Sequence, residues 1–316
     1  MAKPLIARLV AADAVELVAN FRVSIINGPR QSGKTTLLRQ LQADYGGTYI
    51  SLDDAAMLQA VRADPVSFVG QPKPLMIDEV QRGGDELVLA IKSHVDRYPD
   101  PSQFVLAGST RFLSTPSLSE SLAGRAAILN IWPFAEQELA GVSPSFIDLA
   151  FENSDLLREL SPSTVSRSEY FTRIYRGGYP EAMVLSSARL RESWYETYLQ
   201  SVVEADMREM TRIGEPSNLL SMMRILASNT SQEANVLKIA DALQLHRHTA
   251  TRYLSLLESV FLLHQVPAWS RNLLARVVRR PKLHLTDTGL AAYLLGVDQI
   301  GLSRPIAPAR GPLVET

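Results

Sequence analysis

No cysteine occurs among the 316 residues, which excludes disulfides, thiol catalysis and cysteine metal sites and fits a reducing compartment. No apolar run reaches the length that spans a bilayer, and the N-terminus lacks the uncharged core of a signal peptide. Internal repeats and low-complexity tracts are also missing. The expectation is a cytoplasmic protein with no membrane partner. Hydrophobic content of 46% and charged content of 21% are ordinary for globular domains, and the length gives room for two or three of them. Overall the chain carries almost no net charge (−1), but its two parts differ. From Ser217 onward there are 11 Lys and Arg against 6 Asp and Glu, while the first 216 residues hold 21 against 27. Four of the five histidines, His246, His248, His264 and His284, also fall in the basic part. The asymmetry suggests a polyanion-binding module joined to an acidic one, or two modules that face each other.

What is present is led by Gly28-Pro29-Arg30-Gln31-Ser32-Gly33-Lys34-Thr35-Thr36, a complete phosphate-binding loop. A strand-like run, Phe21 to Asn27, precedes it, and a helix with Leu37, Leu38 and Leu41 on one face follows it. Gly28 and Gly33 let the backbone curl so that its N–H groups point at a phosphate. The start of the helix adds the positive end of its dipole. Lys34 is placed to reach the β- and γ-phosphates and the Thr35 hydroxyl to ligate Mg2+.

Strands are predicted at 21–27, 48–52, 74–78, 103–107 and 126–131, with helices between them such as 85–97. Short apolar strands alternating with helices imply a parallel sheet covered on both faces, hence an α/β fold. Helices are predicted at about 133–140 and 146–159, then a Ser/Pro loop at 161–168 and a long amphipathic segment at 188–212. From 217 the pattern becomes helices at 217–228, 235–243 and 247–263, the last two reading as a helix-turn-helix. Residues 264–286 then read as two strands joined by a basic loop, the wing of a winged helix.

The third predicted strand ends in Asp78-Glu79, which places two carboxylates at its C-terminal edge beside the phosphate loop. Asp78 is the candidate for holding Mg2+, usually through water, and Glu79 for polarising an attacking water. After the fourth strand comes Gly108-Ser109-Thr110-Arg111, where Ser109 is either a hydroxyl against the γ-phosphate or water, or part of a polar turn. Arg125, just before the fifth strand, is either a finger supplied to a neighbouring subunit's phosphates or a surface residue capping a helix.

With these residues in place, the chain resembles a large prokaryotic group of predicted AAA+-type ATPases whose C-terminal region is a domain of unknown function. The resemblance rests on residues 28–38, Ile77-Asp78-Glu79-Val80-Gln81, Ser121 to Arg125, Thr249-Ala250 to Tyr253-Leu254, Ser270-Arg271-Asn272 and the stretch 281–291, Pro-Lys-Leu-His-Leu-Thr-Asp-Thr-Gly-Leu-Ala. It covers about 20 to 316 and implies ATP as nucleotide and a winged helix at 217–296. The expected organisation is a P-loop ATPase domain at 1–142, a helical linker or lid at 143–214, a winged helix-turn-helix domain at 215–300 and a tail at 301–316. Chains of this group usually continue past a stretch like Gly311 to Thr316 into a nuclease-like domain. The tail is expected to be the start of such a domain, which is either cut short here or naturally lacking, and no nuclease activity is expected of these residues.

The resulting expectation is a Mg2+-dependent ATPase coupled to double-stranded DNA binding. Arg247, His248, Thr251, Arg252, Arg271, Arg276, Arg279, Arg280 and Lys282 are the candidate DNA-contacting residues. The catalytic candidates are Glu79, Lys34, Ser109 and Arg125. A homo-oligomer is expected if Arg125 acts in trans. The alternative is an ATP-dependent switch that binds a protein partner without nucleic acid. A GTPase is disfavoured because no asparagine is followed by lysine, as the guanine-reading Asn-Lys-x-Asp requires. A small-molecule kinase is a distant option, because Glu79 beside Asp78 points to water as acceptor.

Overall fold

The computed structural model describes residues 5–109, 120–141, 146–152, 155–159, 164–203, 216–304 and 310–316. After helix α1 (Ala11–Asn20) come β1 (Val23–Asn27), α2 (Lys34–Tyr45), β2 (Thr48–Ser51), α3 (Ala55–Ala63), α4 (Pro65–Phe68), β3 (Leu75–Asp78), α5 (Gly84–Arg97), β4 (Phe104–Gly108) and β5 (Ala126–Asn130). The five strands form one sheet of order β2-β3-β4-β1-β5, and every pairing is parallel. Each predicted strand overlaps an observed one to within two residues at either end. β1, β3 and β4 are buried at every position, as strands covered on both faces must be.

Alternate residues of these strands enter different cores. Ile25, Leu75, Ile77 and Leu106 pack against Leu87, Val88 and Ile91 of α5. Ile26, Met76, Val105 and Ala107 pack with Leu37, Leu38 and Leu41 of α2 and with Ala14 and Val18 of α1. The apolar stripe on α2 thus presses the helix that begins at the phosphate loop onto the sheet. Leu38 is fully buried, so truncation to alanine would cost about 2–5 kcal/mol.

A second core begins at Phe171 and runs to Leu313, built from helices including Arg167–Arg176, Ala188–Ser201, Pro216–Ser228, Val236–Ala242, Arg247–Ser259 and Thr288–Leu295. It carries a three-stranded sheet of order β6-β8-β7, with β6 at Gln232–Glu233, β7 at Leu263–Val266 and β8 at Lys282–Leu285. Both of its pairings are antiparallel.

Several boundaries differ from expectation. The helix predicted at 247–263 ends at Ser259, because Phe261 turns left-handed at φ 62° and the chain enters β7. The expected basic loop between the two wing strands contains a short helix, Leu273–Val278. The helix predicted from 133 starts at Glu136, after an extended Ala135. Within the predicted 146–159 span the described helices are Phe146–Glu152 and Leu156–Glu159. Residues 204–212 of the predicted segment 188–212 lie outside the described residues, as do Thr110, Arg111 and residues 161–163 of the predicted Ser/Pro loop at 161–168, whose last two residues, Arg167 and Ser168, begin the helix Arg167–Arg176. No described helix is long and apolar enough to cross a membrane.

Candidate nucleotide site

The loop Gly28–Thr36 connects β1 to α2 at the C-terminal edge of the sheet. Gly28 is required by a close approach: a Cβ there would lie 2.2 Å from the carbonyl oxygen of Ile131, just past the end of β5. Gly33 takes φ 100° at the start of α2, with open space where a side chain would be. Gln31 is left-handed without being glycine, at φ 60°, a conformation costing on the order of 1–2 kcal/mol. The loop is braced internally by Ser32, which is buried and donates to the Pro29 carbonyl at 2.9 Å.

Lys34 is only 5% exposed, and its ammonium donates to the carbonyls of Gly28 (3.0 Å) and Pro29 (2.7 Å). It therefore folds back along the loop. Thr35 donates to Oδ2 of Asp78 at 2.6 Å. The same oxygen accepts from the Tyr49 phenol at 3.1 Å. Burial, with the Asp78 carboxylate second, pushes the Tyr49 pKa up to about 12, so the phenol stays a donor.

Glu79 follows with φ 51°, a second left-handed non-glycine residue, and its backbone N–H donates to Asp78 Oδ1 at 3.0 Å. This turn aims the two neighbouring carboxylates differently. The Glu79 side chain is held by the Gln81 amide, which also donates to Ser109 Oγ at 3.2 Å. Ser109, fully buried at the end of β4, donates to Glu79 Oε2 at 3.3 Å. The structure thus sets Ser109 against the glutamate.

Arg125 lies elsewhere. It precedes Ala126, which pairs with Val23 at the start of β1, whereas the loop follows Asn27 at the other end. Four residues of strand separate the two ends, about 13 Å. Arg125 is instead held by Asp96 on α5, at 2.5 and 3.0 Å, and it does not approach its own chain's loop.

Above the loop is a cavity of about 420 Å3, lined by Gln31, Gly33, Lys34, Thr35, Thr36, Leu37, Gln40 and Glu79 on one side. Leu5, Ile6, Arg8, Phe134, Pro180, Glu181, Met183 and Val184 close the other. None of this second set was predicted from sequence, because a wall gathered from three distant segments has no linear spacing. Arg8 has a side chain only 7% exposed, 3.2 Å from Glu138 and over the Phe134 ring at 4.3 Å. Burial lowers its pKa against the opposing pull of Glu138. Tyr49 and Gln81 were likewise missed, although Gln81 stands in the Ile-Asp-Glu-Val-Gln run.

The predicted DNA-contacting residues are all exposed. Arg247, His248, Thr251 and Arg252 share the outer face of the helix Arg247–Ser259, opposite buried Ala250, Tyr253, Leu254 and Leu257. Arg271, Arg276, Arg279, Arg280 and Lys282 lie between β7 and the start of β8. Arg276 donates to the Ser270 carbonyl, and Lys282 is paired with Glu315.

The parallel five-stranded sheet flanked by helices is an α/β fold, with the loop at the C-terminal edge of its strands. Residues 20–140 match the family model described as an AAA domain, and residues 167–300 match a domain of unknown function, DUF8612. The Walker-type ATPase of Pyrococcus abyssi superposes with a TM-score of 0.54 over 92% of this chain and 96% of its own, at 16% identity, a likeness of fold. Uncharacterised proteins of Mycobacterium bovis and Mycobacterium tuberculosis are each 29% identical over 278 residues, 87% of this chain and 56% of theirs. A Haemophilus influenzae protein is 24% identical over 297 residues, covering 69% of its length. The chain thus spans about half the length of the mycobacterial relatives.

Proposed function

We propose that the chain binds Mg-ATP between the phosphate loop and the Pro180–Val184 wall and hydrolyses it. The observation that carries this reading is the convergence of Lys34, the Thr35–Asp78 contact and Glu79 at one edge of a parallel sheet. Thr35 and Asp78 fit Mg2+, since both present hard oxygen donors 2.6 Å apart. No cluster of three or more His, Cys, Asp or Glu that could hold a metal by itself occurs among the described residues. That suits an ion bound largely through substrate phosphates. Bound there, Mg2+ would neutralise charge on the β- and γ-phosphates.

The chain's own groups then act in sequence. The loop N–H groups of Gly28 and of residues 30–35 cradle the phosphates, and the Lys34 ammonium exchanges its two carbonyl partners for phosphate oxygens. Glu79, oriented by Gln81 and Ser109, accepts a hydrogen bond from the attacking water and polarises it. Arg125 is offered to the phosphates of a neighbouring copy, since it does not reach its own.

The C-terminal module is read as a winged helix that binds double-stranded DNA. The Arg247–Arg252 face and the arginines at 271–280 would contact phosphates. A protein partner is the second reading, favoured by Trp269, Leu273, Leu274 and Val278, which are 71–76% exposed among those arginines. ATPase assays of wild type and Lys34→Ala, with and without duplex DNA, test both parts. Turnover undiminished by Lys34→Ala refutes the loop assignment, and turnover and retention indifferent to DNA favour the protein partner.

A further inference from the structure

The carboxylate of Asp287 is buried, 4% exposed, in the C-terminal region, and helix capping accounts for only part of its bonding. It begins the helix Thr288–Leu295, and Oδ1 accepts from the Leu290 N–H at 2.7 Å as an N-cap does. Oδ1 also accepts from the Tyr195 hydroxyl at 2.9 Å. Oδ2 reaches 109 residues back and accepts from the Gly178 N–H at 2.6 Å. Asp298 shows the contrast: exposed, it caps the helix Gln299–Ser303 through Gly301.

The Gly177-Gly178 turn is built for this contact. Gly177 has φ 70°, and a Cβ there would sit 2.6 Å from both Asp287 Oδ1 and the Tyr195 hydroxyl. A Cβ on Gly178 would sit 2.2 Å from the Phe134 carbonyl oxygen, and the Gly178 carbonyl accepts from the Phe134 N–H at 2.8 Å. Phe134 lines the cavity over the phosphate loop, and so does Pro180, two residues beyond Gly178. The turn is therefore gripped by the β5 exit on one side and by Asp287 on the other, immediately before the cavity wall.

We propose that Asp287 is a positioning residue for nucleotide binding, fixing through Gly178 the Pro180–Val184 wall and so linking occupancy of the cavity to the state of the C-terminal module. The proposal rests on the ATP reading above. Coupling of this kind is reciprocal: whatever displaces Asp287 loosens nucleotide, and nucleotide tightens the Asp287 contacts. Lys34, Asp78 and Glu79 sit on the loop and sheet edge, which Asp287 does not touch, so affinity and turnover should separate.

The test measures binding of a fluorescent ATP analogue with Mg2+, together with KM and kcat, for the full chain and three variants. Asp287→Asn should weaken binding and raise KM about tenfold, within the range for coupled sites, with kcat changed less than about threefold. Tyr195→Phe should have a smaller effect of the same sign, and Asp298→Asn, the same substitution at a cap that does not touch the turn, should change neither. Wild-type affinity in Asp287→Asn, or an equal loss in Asp298→Asn, overturns the proposal. Should Asp287→Asn not fold, hydrogen exchange on the wild-type chain decides: added nucleotide must slow the Gly178 and Leu290 amides, and unchanged exchange overturns it. A wild type that binds no analogue removes the ATP reading itself, whereas a binding wild type with unaffected variants removes only the Asp287 link.

Discussion

Thr35 Oγ1 and Asp78 Oδ2 meet at 2.6 Å, joining the first turn of α2 to the end of β3. A hydroxyl and a carboxylate this close are arranged to share a cation as readily as a proton. Thr35→Ala should lower Mg2+-dependent ATP turnover by about 100-fold, while Thr35→Ser, which keeps the oxygen, should lose far less. A magnesium titration of both variants checks this; equal losses would remove Thr35 from the metal site.

The Glu79 carboxylate is held by Gln81 and Ser109. Glu79→Gln should keep nucleotide affinity within about threefold and reduce hydrolysis by 100-fold or more, the size expected for loss of a general base. Ser109→Ala should reduce kcat modestly with little change in KM. A Glu79→Gln variant with near-normal turnover would assign the water to another group.

Arg125→Ala should abolish activity that returns on mixing with inactive Lys34→Ala subunits, since one copy then supplies the loop and the other the arginine. Turnover measured across mixing ratios gives the answer, and absence of complementation would leave Arg125 as the partner of Asp96 alone.

Lys73 lies over the Phe104 ring at 3.9 Å, and burial pulls its pKa from 10.5 down to about 8. The unfolded chain therefore binds this proton more tightly than the folded one, so the cost to stability is present below pH 8 and fades as pH rises towards 10.5. Lys73→Met should have a higher Tm than wild type at pH 7, with the difference closing through that window. A difference that does not vary with pH would contradict the assigned cause.

If the outer face of Arg247–Ser259 meets DNA phosphates, binding should weaken steeply with salt, and Arg252→Ala should reduce the slope by about one. Fluorescence anisotropy at several salt concentrations measures it. Affinity independent of salt would favour the protein partner.

The sheet and loop were legible because local rules govern them. Five apolar runs punctuated by turns predict strands, and Gly28 and Gly33 mark where backbone must approach backbone or turn left-handed. Asp78 and Glu79 were readable because a strand end fixes direction. Arg8, Phe134, Tyr195 and Asp287 were not, since each acts on a segment far away in sequence. For Ser109 the sequence left a γ-phosphate, a water or a polar turn open, and the structure sets its hydroxyl against Glu79. β6 is two residues long, too short for any periodicity to show.

The position of β4 between β1 and β3 has one more result. Two inter-strand steps, about 9.6 Å, separate the strand that launches the phosphate loop from the strand that delivers the carboxylates. That gap is of the order needed to seat a phosphate and a water in line between an ammonium and a glutamate. The sheet's hydrogen-bond spacing thus acts as a ruler: it fixes, by backbone geometry, how far the loop's strand stands from the carboxylates' strand, with Ser109 just past the end of β4 between them.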